Sequence, residues 1–327
     1  MAVLRKVLAS KAVATLATPH TVDHFLDQLH PMLAVQNVRG RVVEIIRETG
    51  YACTVVIKPN HTWDGFKPGQ HVQFGVEVEG KRRVRVFSVS SSTHRRDGMF
   101  SVSVKAHPDG YVSQFLKKGL APKTLIYLSQ AQGEFVLPDV MPENLLLLSG
   151  GSGITPVMSM IRTLSDEGYT GDITFLHYAR SREDEIFSDE LDAIAAGNPS
   201  FKLVRVYTRE PATNAELEGR FTVEHLKNLS IDPASTLTYA CGPAGLIQIV
   251  KDTYEEMGAL DQLKLEYFKI ASVNLDAADA TGTLSFDDSV VDVANSGQTI
   301  LEQAEAAGLK PAYGCRMGVC NTCAVKK

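Results

Sequence analysis

The sequence has no apolar run approaching the roughly 20 residues needed to span a bilayer, so it predicts no transmembrane helix. It also lacks a strong excess of either charge, and the formal net charge of −5 argues against a general nucleic-acid-binding protein. Cysteine is scarce, with five in 327 residues, and three of these lie close together near residue 320. This distribution is typical of a cluster of ligands rather than of a secreted disulfide framework. What remains is a globular protein of ordinary composition, long enough for about two or three domains.

Residues 1–36 are rich in alanine and carry apolar residues at helical spacing, interrupted by Pro19 and Pro31. Lys11 lies where the apolar core of a signal peptide would be. We therefore interpret this segment as a helical extension of a cytoplasmic protein. Packing on the body of the protein is the interpretation that we favour, and docking to a partner, including a membrane-bound one, is the alternative.

Short alternating segments separated by turn residues predict an antiparallel β-barrel over residues 37–140. The predicted strands cover residues 38–46, 51–58, 70–78, 82–88, 99–105 and 124–128. One helix-like insert, residues 111–118, follows Gly110 and has Ser113 in its first turn. The unpaired N–H groups and the dipole of a helix start attract anions, so this turn is a candidate phosphate site.

The fourth predicted strand ends in an unusual combination of side chains: Arg85, Phe87, Ser88 and Ser90. An arginine can bind a pyrophosphate bidentately. A phenylalanine two residues later lies on the same side of the strand and can stack on a planar ring. The serine hydroxyls can hydrogen-bond polar atoms at the edge of such a ring. The segment suits a flavin, although a sheet edge with an exposed arginine and a buried phenylalanine would give the same pattern.

Residues 141–270 change to strand–loop–helix units, which predict a parallel α/β sheet. An apolar run, residues 145–148, leads into a glycine-rich turn and a helix predicted to begin at Val157. Glycines there let the backbone approach a pyrophosphate at the helix N-terminus. The residues assigned to this contact are Gly150, Gly151, Gly153, Thr155 and Pro156.

A second turn, Cys241-Gly242-Pro243, follows a strand predicted at 236–239. It would lie at the carboxyl edge of the sheet, where the ligands of open α/β sheets collect.

Residues 282–327 predict a hairpin, then a helix at 299–307 that ends at Gly308, and finally a C-x4-C-x2-C run. The three cysteines of that run are Cys315, Cys320 and Cys323. Their spacing is typical of plant-type [2Fe–2S] sites, with a zinc site or chance as the alternatives. Residues 271–281, rich in alanine and aspartate, form the predicted linker.

These motifs, in this order, resemble the ferredoxin–NADP reductase superfamily with a plant-type ferredoxin domain fused at the C-terminal end. The resemblance covers roughly residues 38–327 and is greatest to the reductase partners of acyl-CoA desaturases, phenylacetyl-CoA epoxidase and ring-hydroxylating oxygenases. It implies a multi-domain fold: an FAD-binding antiparallel β-barrel, a parallel α/β nucleotide-binding domain, and a β-grasp ferredoxin domain that is partial in this sequence.

The resemblance also implies roles for the flavin residues. Arg85, Phe87 and Ser88 match an R-x-Y-S motif, with roles in pyrophosphate contact, stacking on the isoalloxazine and a hydrogen bond near flavin N5. Phe87 in place of tyrosine keeps the stacking but loses the phenol hydrogen bond. Gly110 and Ser113 match a G-x-x-S motif that holds the FAD pyrophosphate, which favours FAD over FMN.

The nucleotide domain carries further matches. Cys241 belongs to a C-G-P motif whose cysteine lies near the nicotinamide, and Glu266 and Phe268 match an E-x-F motif close to the flavin. With Ser88, Cys241 and Glu266 form the predicted catalytic set. Thr208 and Arg209 end a strand where NADP-dependent relatives bind the 2′-phosphate.

Arg180 and Arg220 can join that 2′-phosphate contact. We therefore predict NADPH as the donor. NADH is the alternative, in which these arginines are solvated loop charges.

One departure from the family concerns the iron–sulfur cluster. The fourth cluster cysteine of relatives follows the third by some tens of residues, and this sequence contains no counterpart. Cys53 and Cys241 belong to other predicted domains. We expect a truncated sequence, with the [2Fe–2S] cluster completed in the intact protein.

The predicted function is electron transfer from NADPH through FAD and [2Fe–2S] to a one-electron acceptor protein. A fatty acyl desaturase is the preferred acceptor, because the extension at 1–36 resembles that subgroup. A role as the reductase component of an oxygenase is one alternative. A non-enzymatic electron-transfer subunit or redox sensor of a larger complex is another.

Overall fold

The computed structural model describes residues 8, 10, 13, 15, 17–78, 81–106, 111–209, 217–267, 281–286, 289–309 and 311. The chain divides into two compact units, Met1–Phe268 and Lys269–Lys327. The finer domain boundaries given by the sequence stay predictions. No helix in the described part of the chain is long and apolar enough to cross a membrane.

The first described helix, α1 (Val22–Leu29), begins where the Thr21 side chain accepts a hydrogen bond from the His24 N–H. Asp23, only 1% exposed, faces the segment that enters the barrel. Its carboxylate accepts hydrogen bonds from the backbone N–H groups of Val35, Gln36 and Asn37, at 2.7 to 3.2 Å. These bonds attach α1 to the barrel, because a buried carboxylate needs such partners.

Six antiparallel strands form the predicted barrel, which is confirmed. They are β1 (Val38–Arg47), β2 (Ala52–Pro59), β3 (His71–Val78), β4 (Lys81–Ser88), β5 (Phe100–Lys105) and β6 (Leu125–Leu128). The helix α2 (Tyr111–Lys118) lies between β5 and β6 in the chain. The strand order is β4-β3-β6-β1-β2-β5, so β4 and β5 are the edges. A single bridge, Val89 to Val102, joins the two edges and nearly closes the sheet into a barrel.

Within the described residues, five parallel strands and four α-helices form the nucleotide-binding part. They are β7 (Asn144–Gly150), α3 (Ile154–Glu167), β8 (Asp172–Ala179), α4 (Ser188–Gly197), β9 (Phe201–Tyr207), α5 (Val223–Asn228), β10 (Leu237–Gly242), α6 (Ala244–Glu256) and β11 (Leu263–Tyr267). The strand order is β11-β10-β7-β8-β9. The chain runs outward from β7 to β9 and then returns to β10, so the direction of winding changes between β7 and β10. Ligands of such sheets bind at this point.

The β7 strand explains why the sheet is buried on both faces. Leu145 and Leu147 pack into the core that contains α3, whereas Leu146 and Leu148 pack into the core that contains α6. All four are at most 1% exposed. A continuous apolar run is therefore required here, as the sequence indicated.

Two boundaries differ by several residues from those predicted, and one strand was missed. Helix α3 begins at Ile154 rather than Val157, because a single 3₁₀ turn leads directly into it and Pro156 is accepted in a first helical turn. Strand β10 continues to Gly242, so Cys241 and Gly242 end the strand rather than forming a turn. The reason is that β7 and β11 pair with β10 through Cys241. Strand β11 was not predicted at all.

The second unit contains the predicted hairpin and helix. Strands β12 (Thr283–Phe286) and β13 (Val291–Ala294) pair antiparallel, and α7 (Ile300–Ala306) follows. Thr299 and Glu302 form a reciprocal capping box at the start of α7. Cys315, Cys320 and Cys323 lie outside the described residues.

A buried histidine gives the nucleotide sheet a pH-dependent stability. His177 on β8 is 1% exposed, its Nδ1 lies 2.7 Å from Ser149 Oγ on β7, and burial lowers its pKa to about 4. The unfolded chain protonates this residue near pH 6.5, so its contribution is complete above that pH and is lost as the pH falls towards 4. The loss should amount to about 3 kcal/mol.

We expect His177→Gln to flatten the decrease in the free energy of unfolding between about pH 7 and about pH 4. Ser149→Ala is the matched control, because it removes the hydrogen bond but leaves the imidazole buried, and it should keep the wild-type slope. Denaturant unfolding at a series of pH values measures both. A wild-type slope in His177→Gln would contradict the assignment.

Candidate cofactor site at the barrel–sheet junction

A cavity of about 830 Å³ opens at the carboxyl edge of the parallel sheet. The turn after β7 contributes Gly150 and Gly151, and the end of β10 contributes Pro243. The cavity thus lies where the winding direction changes, the position expected for a dinucleotide.

Glycine is required in this turn for two different reasons. Gly151 has φ +54°, a left-handed conformation, and a Cβ there would meet nothing within 4 Å. Gly153 is instead pressed against β10, since a Cβ there would lie 2.0 Å from the carbonyl oxygen of Cys241. Gly151 therefore leaves a cradle open to a ligand, whereas Gly153 permits backbone packing.

The other predicted turn residues divide in the same way. Gly150 lines the cavity, whereas Thr155 is buried and its hydroxyl donates to the Ser152 carbonyl oxygen at 3.1 Å. Pro156 is buried in the first turn of α3. The N-terminus of α3 follows the cradle directly, so its unpaired N–H groups and dipole suit a pyrophosphate.

Cations line the cavity: Lys105, Arg180, Arg209 and Arg220. Thr208 also lines it, and no carboxylate does among the described lining residues. Backbone bonds from Thr208 N–H to Ala179 and from Arg209 N–H to Arg180, each 2.9 Å, extend the pairing of β8 and β9. The arrangement brings Arg180 and Arg209 to neighbouring strand ends.

Lys105 was missed by sequence reasoning. It ends β5 of the barrel, and its Nζ lies 3.3 Å from Asp184 Oδ1 in the nucleotide-binding part. The strand pattern predicted where β5 ends but gave no indication that this end reaches the nucleotide cavity.

The predicted flavin residues lie on the edge strand β4. Phe87 packs edge-on against Phe74, with ring centroids 5.8 Å apart, and Arg85 Nη1 donates to the Val84 carbonyl oxygen at 2.7 Å. Helix α2, which carries Ser113, packs against β4. A guanidinium, an aromatic ring and a nearby helix start are a donor set that fits FAD. Gly110 lies outside the described residues.

Ser90 takes a different position from the other predicted flavin residues. It is fully buried, and its hydroxyl lies 2.8 Å from Ser103 Oγ and 3.1 Å from Ser101 Oγ inside the barrel. The structure therefore does not bring the Ser90 hydroxyl together with Arg85 and Phe87, and its predicted contact with the cofactor stays untested.

The predicted catalytic residues lie near one another where the barrel contacts β11, and His71 lies between Ser88 and Glu266. His71 is the register partner of Ser88. Its Nδ1 lies 3.5 Å from Glu266 Oε1, while Glu266 Oε2 lies 4.0 Å from Cys241 Sγ. Sequence reasoning missed His71, which is the first residue of β3.

Burial controls the ionisation of this group. It raises the pKa of Glu266, an effect that the neighbouring His71 partly offsets. Burial, and to a smaller extent the Glu266 charge, raise the pKa of Cys241 well above its ordinary value. Cys241 is therefore a neutral thiol suited to shaping a pocket, not a thiolate nucleophile. Phe268 lies outside the described residues.

No group of three or more His, Cys, Asp or Glu side chains could hold a metal ion within the described ranges. The three predicted cluster ligands lie beyond those ranges. The fold and these two neighbouring sites define a class, a flavin- and NAD(P)-dependent oxidoreductase.

Comparison with known proteins specifies the class. Residues 51–137 match the family described as an oxidoreductase FAD-binding domain, and residues 147–252 match the oxidoreductase NAD-binding domain. Residues 286–327 match the 2Fe-2S iron-sulfur cluster binding domain. FAD, NAD(P)H and a [2Fe–2S] cluster are therefore the cofactors, as predicted.

Relatives that match most of the chain belong to the same class of oxidoreductase. The NADPH oxidoreductase of Mycobacterium tuberculosis is 36% identical over 319 residues, covering 96% of this chain and 82% of that protein. The glycine betaine monooxygenase reductase subunit of Chromohalobacter salexigens is 31% identical over 312 residues, covering 88% of this chain and 84% of that protein. The structure of phthalate dioxygenase reductase has the same fold, with a TM-score of 0.64, 20% identity, and coverage of 88% of this chain and 85% of that one.

The chain belongs to the ferredoxin–NADP reductase superfamily, in the group with a C-terminal [2Fe–2S] ferredoxin domain. It is an NAD(P)H-dependent oxidoreductase that delivers electrons to an acceptor protein. The roles assigned to individual residues stay predictions.

We expect Gly153→Ala to destabilise the protein by about 1–3 kcal/mol, because its Cβ would overlap the backbone of β10. Binding of NADP⁺ should weaken as well, since the turn must shift. Gly197→Ala is the control, because nothing lies within 4 Å of a Cβ there. Thermal unfolding and NADP⁺ titration measure the two effects, and wild-type values for Gly153→Ala would contradict the packing argument.

Proposed function

We propose that this protein is the NADPH-specific reductase of a fatty acyl desaturase. The observation that carries the donor assignment is the cavity at the sheet edge, with a glycine cradle on one side and four cations around it. That cavity adjoins the end of β10, which contains Cys241, and the neighbouring Glu266 of β11 contacts His71 of the barrel. A nicotinamide nucleotide held there would reach the flavin site.

The cations of the cavity support NADPH as the donor. Arg180 and Arg209, on adjacent strand ends, would hold the 2′-phosphate with the Thr208 hydroxyl, and Arg220 would add a third guanidinium. A carboxylate at this position would favour the free 2′-hydroxyl of NADH instead. Its absence among the described lining residues supports NADPH.

The remaining residues would bind and orient. Gly150, Gly151 and the start of α3 would hold the NADPH pyrophosphate, while Arg85 and the helix of Ser113 would hold that of FAD. FAD, when bound, accepts a hydride from NADPH and releases electrons singly, which a one-electron cluster requires.

The predicted catalytic residues would act at the junction. The Ser88 hydroxyl would face the flavin N5 region, and the neutral Cys241 thiol would shape the nicotinamide pocket. Glu266, with its raised pKa, would hold or release a proton nearer to neutral pH than an ordinary glutamate.

Two observations support the desaturase as the acceptor. The resemblance of residues 1–36 to that subgroup is the first. The second is the exposed apolar face of this extension, in which Phe25 is 48%, Leu29 is 78% and Leu33 is 41% exposed. A docking surface for a membrane-bound acceptor accounts for such exposure.

The reductase component of an oxygenase is the second candidate. It is favoured by several relatives that are reductase components of monooxygenases, among them the glycine betaine monooxygenase reductase subunit. Against it stands the extension at 1–36, whose resemblance and exposed apolar side chains favour the desaturase.

The donor is tested by anaerobic titration of the flavin absorbance with NADPH and NADH in parallel. We expect bleaching at the lower concentration with NADPH. Arg209→Gln should raise the KM for NADPH about tenfold or more and leave that for NADH unchanged, because a charge-assisted contact is lost. Arg41→Gln, an exposed arginine on β1, is the control. Equal use of both donors by the wild-type protein would contradict the donor assignment.

The acceptor is tested with a double substitution, Phe25→Ser with Leu29→Ser. We expect the KM for a desaturase in membrane vesicles to rise roughly tenfold, whereas flavin reduction by NADPH is unchanged. Val140→Ser, at an 87% exposed apolar residue elsewhere, is the control. Transfer to the terminal component of an oxygenase but not to a desaturase would establish the second candidate instead.

A further inference from the structure

Hydride transfer requires that the reacting atoms lie about 3–3.5 Å apart, and a misplacement of about 1 Å can cost roughly a hundredfold in rate. In this protein the flavin motif lies on the barrel and the nucleotide cradle lies on the parallel sheet. The distance between the two cofactors is therefore set by the junction between these two parts of the first unit.

One side of the junction is closed by apolar packing. Phe135, which follows the barrel strands, packs edge-on against Tyr239 of β10 with ring centroids 5.3 Å apart. The Tyr239 hydroxyl donates to the Val136 carbonyl oxygen at 2.7 Å. This side has an ordinary protein core.

The other side is closed by hydrogen bonds from helix α3. Ser159 Oγ donates to the Ser91 carbonyl oxygen at 2.8 Å, and Arg162 Nη1 donates to the Ser90 carbonyl oxygen at 2.5 Å. The Thr93 N–H donates to Thr163 Oγ1 at 3.2 Å. The barrel residues in these bonds, Ser90, Ser91 and Thr93, follow shortly after Ser88, the last residue of β4, which we call the flavin strand. Helix α3 begins at the nucleotide cradle, so these bonds link the two predicted cofactor sites.

Arg162 makes the most extensive of these contacts on the second side. Its Nε and Nη2 bind both oxygens of Glu190 on α4, at 2.7 and 2.5 Å, and its guanidinium lies 4.6 Å from the ring centroid of Phe187. The guanidinium is planar, with Nε and Nη2 bound to Glu190 and one face against Phe187. Its Nη1 is therefore directed at the Ser90 carbonyl oxygen with little freedom. One side chain thus joins α3, α4 and the barrel.

A fourth contact on this side is partly exposed to solvent: His94 Nε2 lies 2.8 Å from Oε1 of Glu167, the last residue of α3. A cavity of about 490 Å³ lies on the same side, lined by Arg162, Glu190 and Ser91 together with Glu48 of the barrel. Because a cavity provides no packing, the spacing here depends on the hydrogen bonds rather than on an apolar core.

We propose that Arg162 is a positioning residue for hydride transfer. Its guanidinium, bound to both Glu190 and the Ser90 carbonyl oxygen, holds the flavin strand β4 at a fixed distance from the nucleotide cradle. The role rests on the proposed function, in which NADPH reduces FAD across this junction. Arg162 contacts none of the residues that line the nucleotide cavity, so its removal should lower the rate of flavin reduction without weakening NADPH binding.

The test compares Arg162→Met with Arg205→Met in anaerobic stopped-flow experiments with NADPH. Arg205 is a matched control, because it also binds carboxylates, Glu185 at 2.7 Å and Asp192 at 2.6 Å, and all its hydrogen bonds stay within the nucleotide-binding part. The readouts are the flavin reduction rate, the long-wavelength absorbance of the stacked nicotinamide–flavin pair, and the NADPH dissociation constant.

We expect Arg162→Met to reduce the rate roughly tenfold to a hundredfold and to diminish the long-wavelength absorbance, with a dissociation constant within about twofold of wild type. Arg205→Met should retain both the rate and the absorbance. Ser159→Ala removes one bond of the same side and should give a smaller effect, which keeps the test decisive if Arg162→Met fails to fold.

Equal flavin reduction rates and equal long-wavelength absorbance in Arg162→Met and Arg205→Met would overturn the positioning role. If Arg162→Met does not fold, a wild-type flavin reduction rate in Ser159→Ala would overturn it. A wild-type protein that bleaches with neither NADPH nor NADH would instead overturn the proposed function.

Discussion

The contact between the turn after β7 and the end of β10 is the constraint on which the site depends. Gly153 allows the backbone of the turn to touch the Cys241 carbonyl group, and no other residue type fits that gap. This contact directs α3 towards the nucleotide cavity and places Cys241 beneath the cradle. The same strand end then pairs with β11, which carries Glu266 to the barrel. The absence of a Cβ at Gly153 therefore determines the relative positions of the cradle, the Cys241 thiol and the Glu266 carboxylate.

Local pattern predicted most of the fold, because alternation along a strand and a continuous buried run are properties of neighbouring residues. The barrel strands and the doubly buried β7 were recognised for this reason. Strand β11 was missed, since it is a short edge strand and only Leu263 of its five residues is buried. The length of β10 depended on partners far away in the sequence, so no local pattern could define it.

The site was predictable in composition but not in arrangement. The glycine-rich turn and the arginines were identified, and Gly150, Gly151, Arg180, Thr208 and Arg209 do line one cavity. The different functions of Gly151 and Gly153 depend on what lies beside each of them, which a single sequence does not contain. His71 and Lys105 were missed because pairing of distant segments brings them to the site, where the first contacts Glu266 and the second reaches the nucleotide cavity.

The position of β4 at a sheet edge has a consequence for the protein before it acquires its cofactor. An edge strand offers unpaired backbone groups to any other chain, and such edges promote aggregation. This edge carries Arg82, Arg83 and Arg85. Antiparallel addition of a second copy would bring like charges opposite one another, which opposes association. The basic residues of the flavin strand thus disfavour the pairing of two copies along this edge.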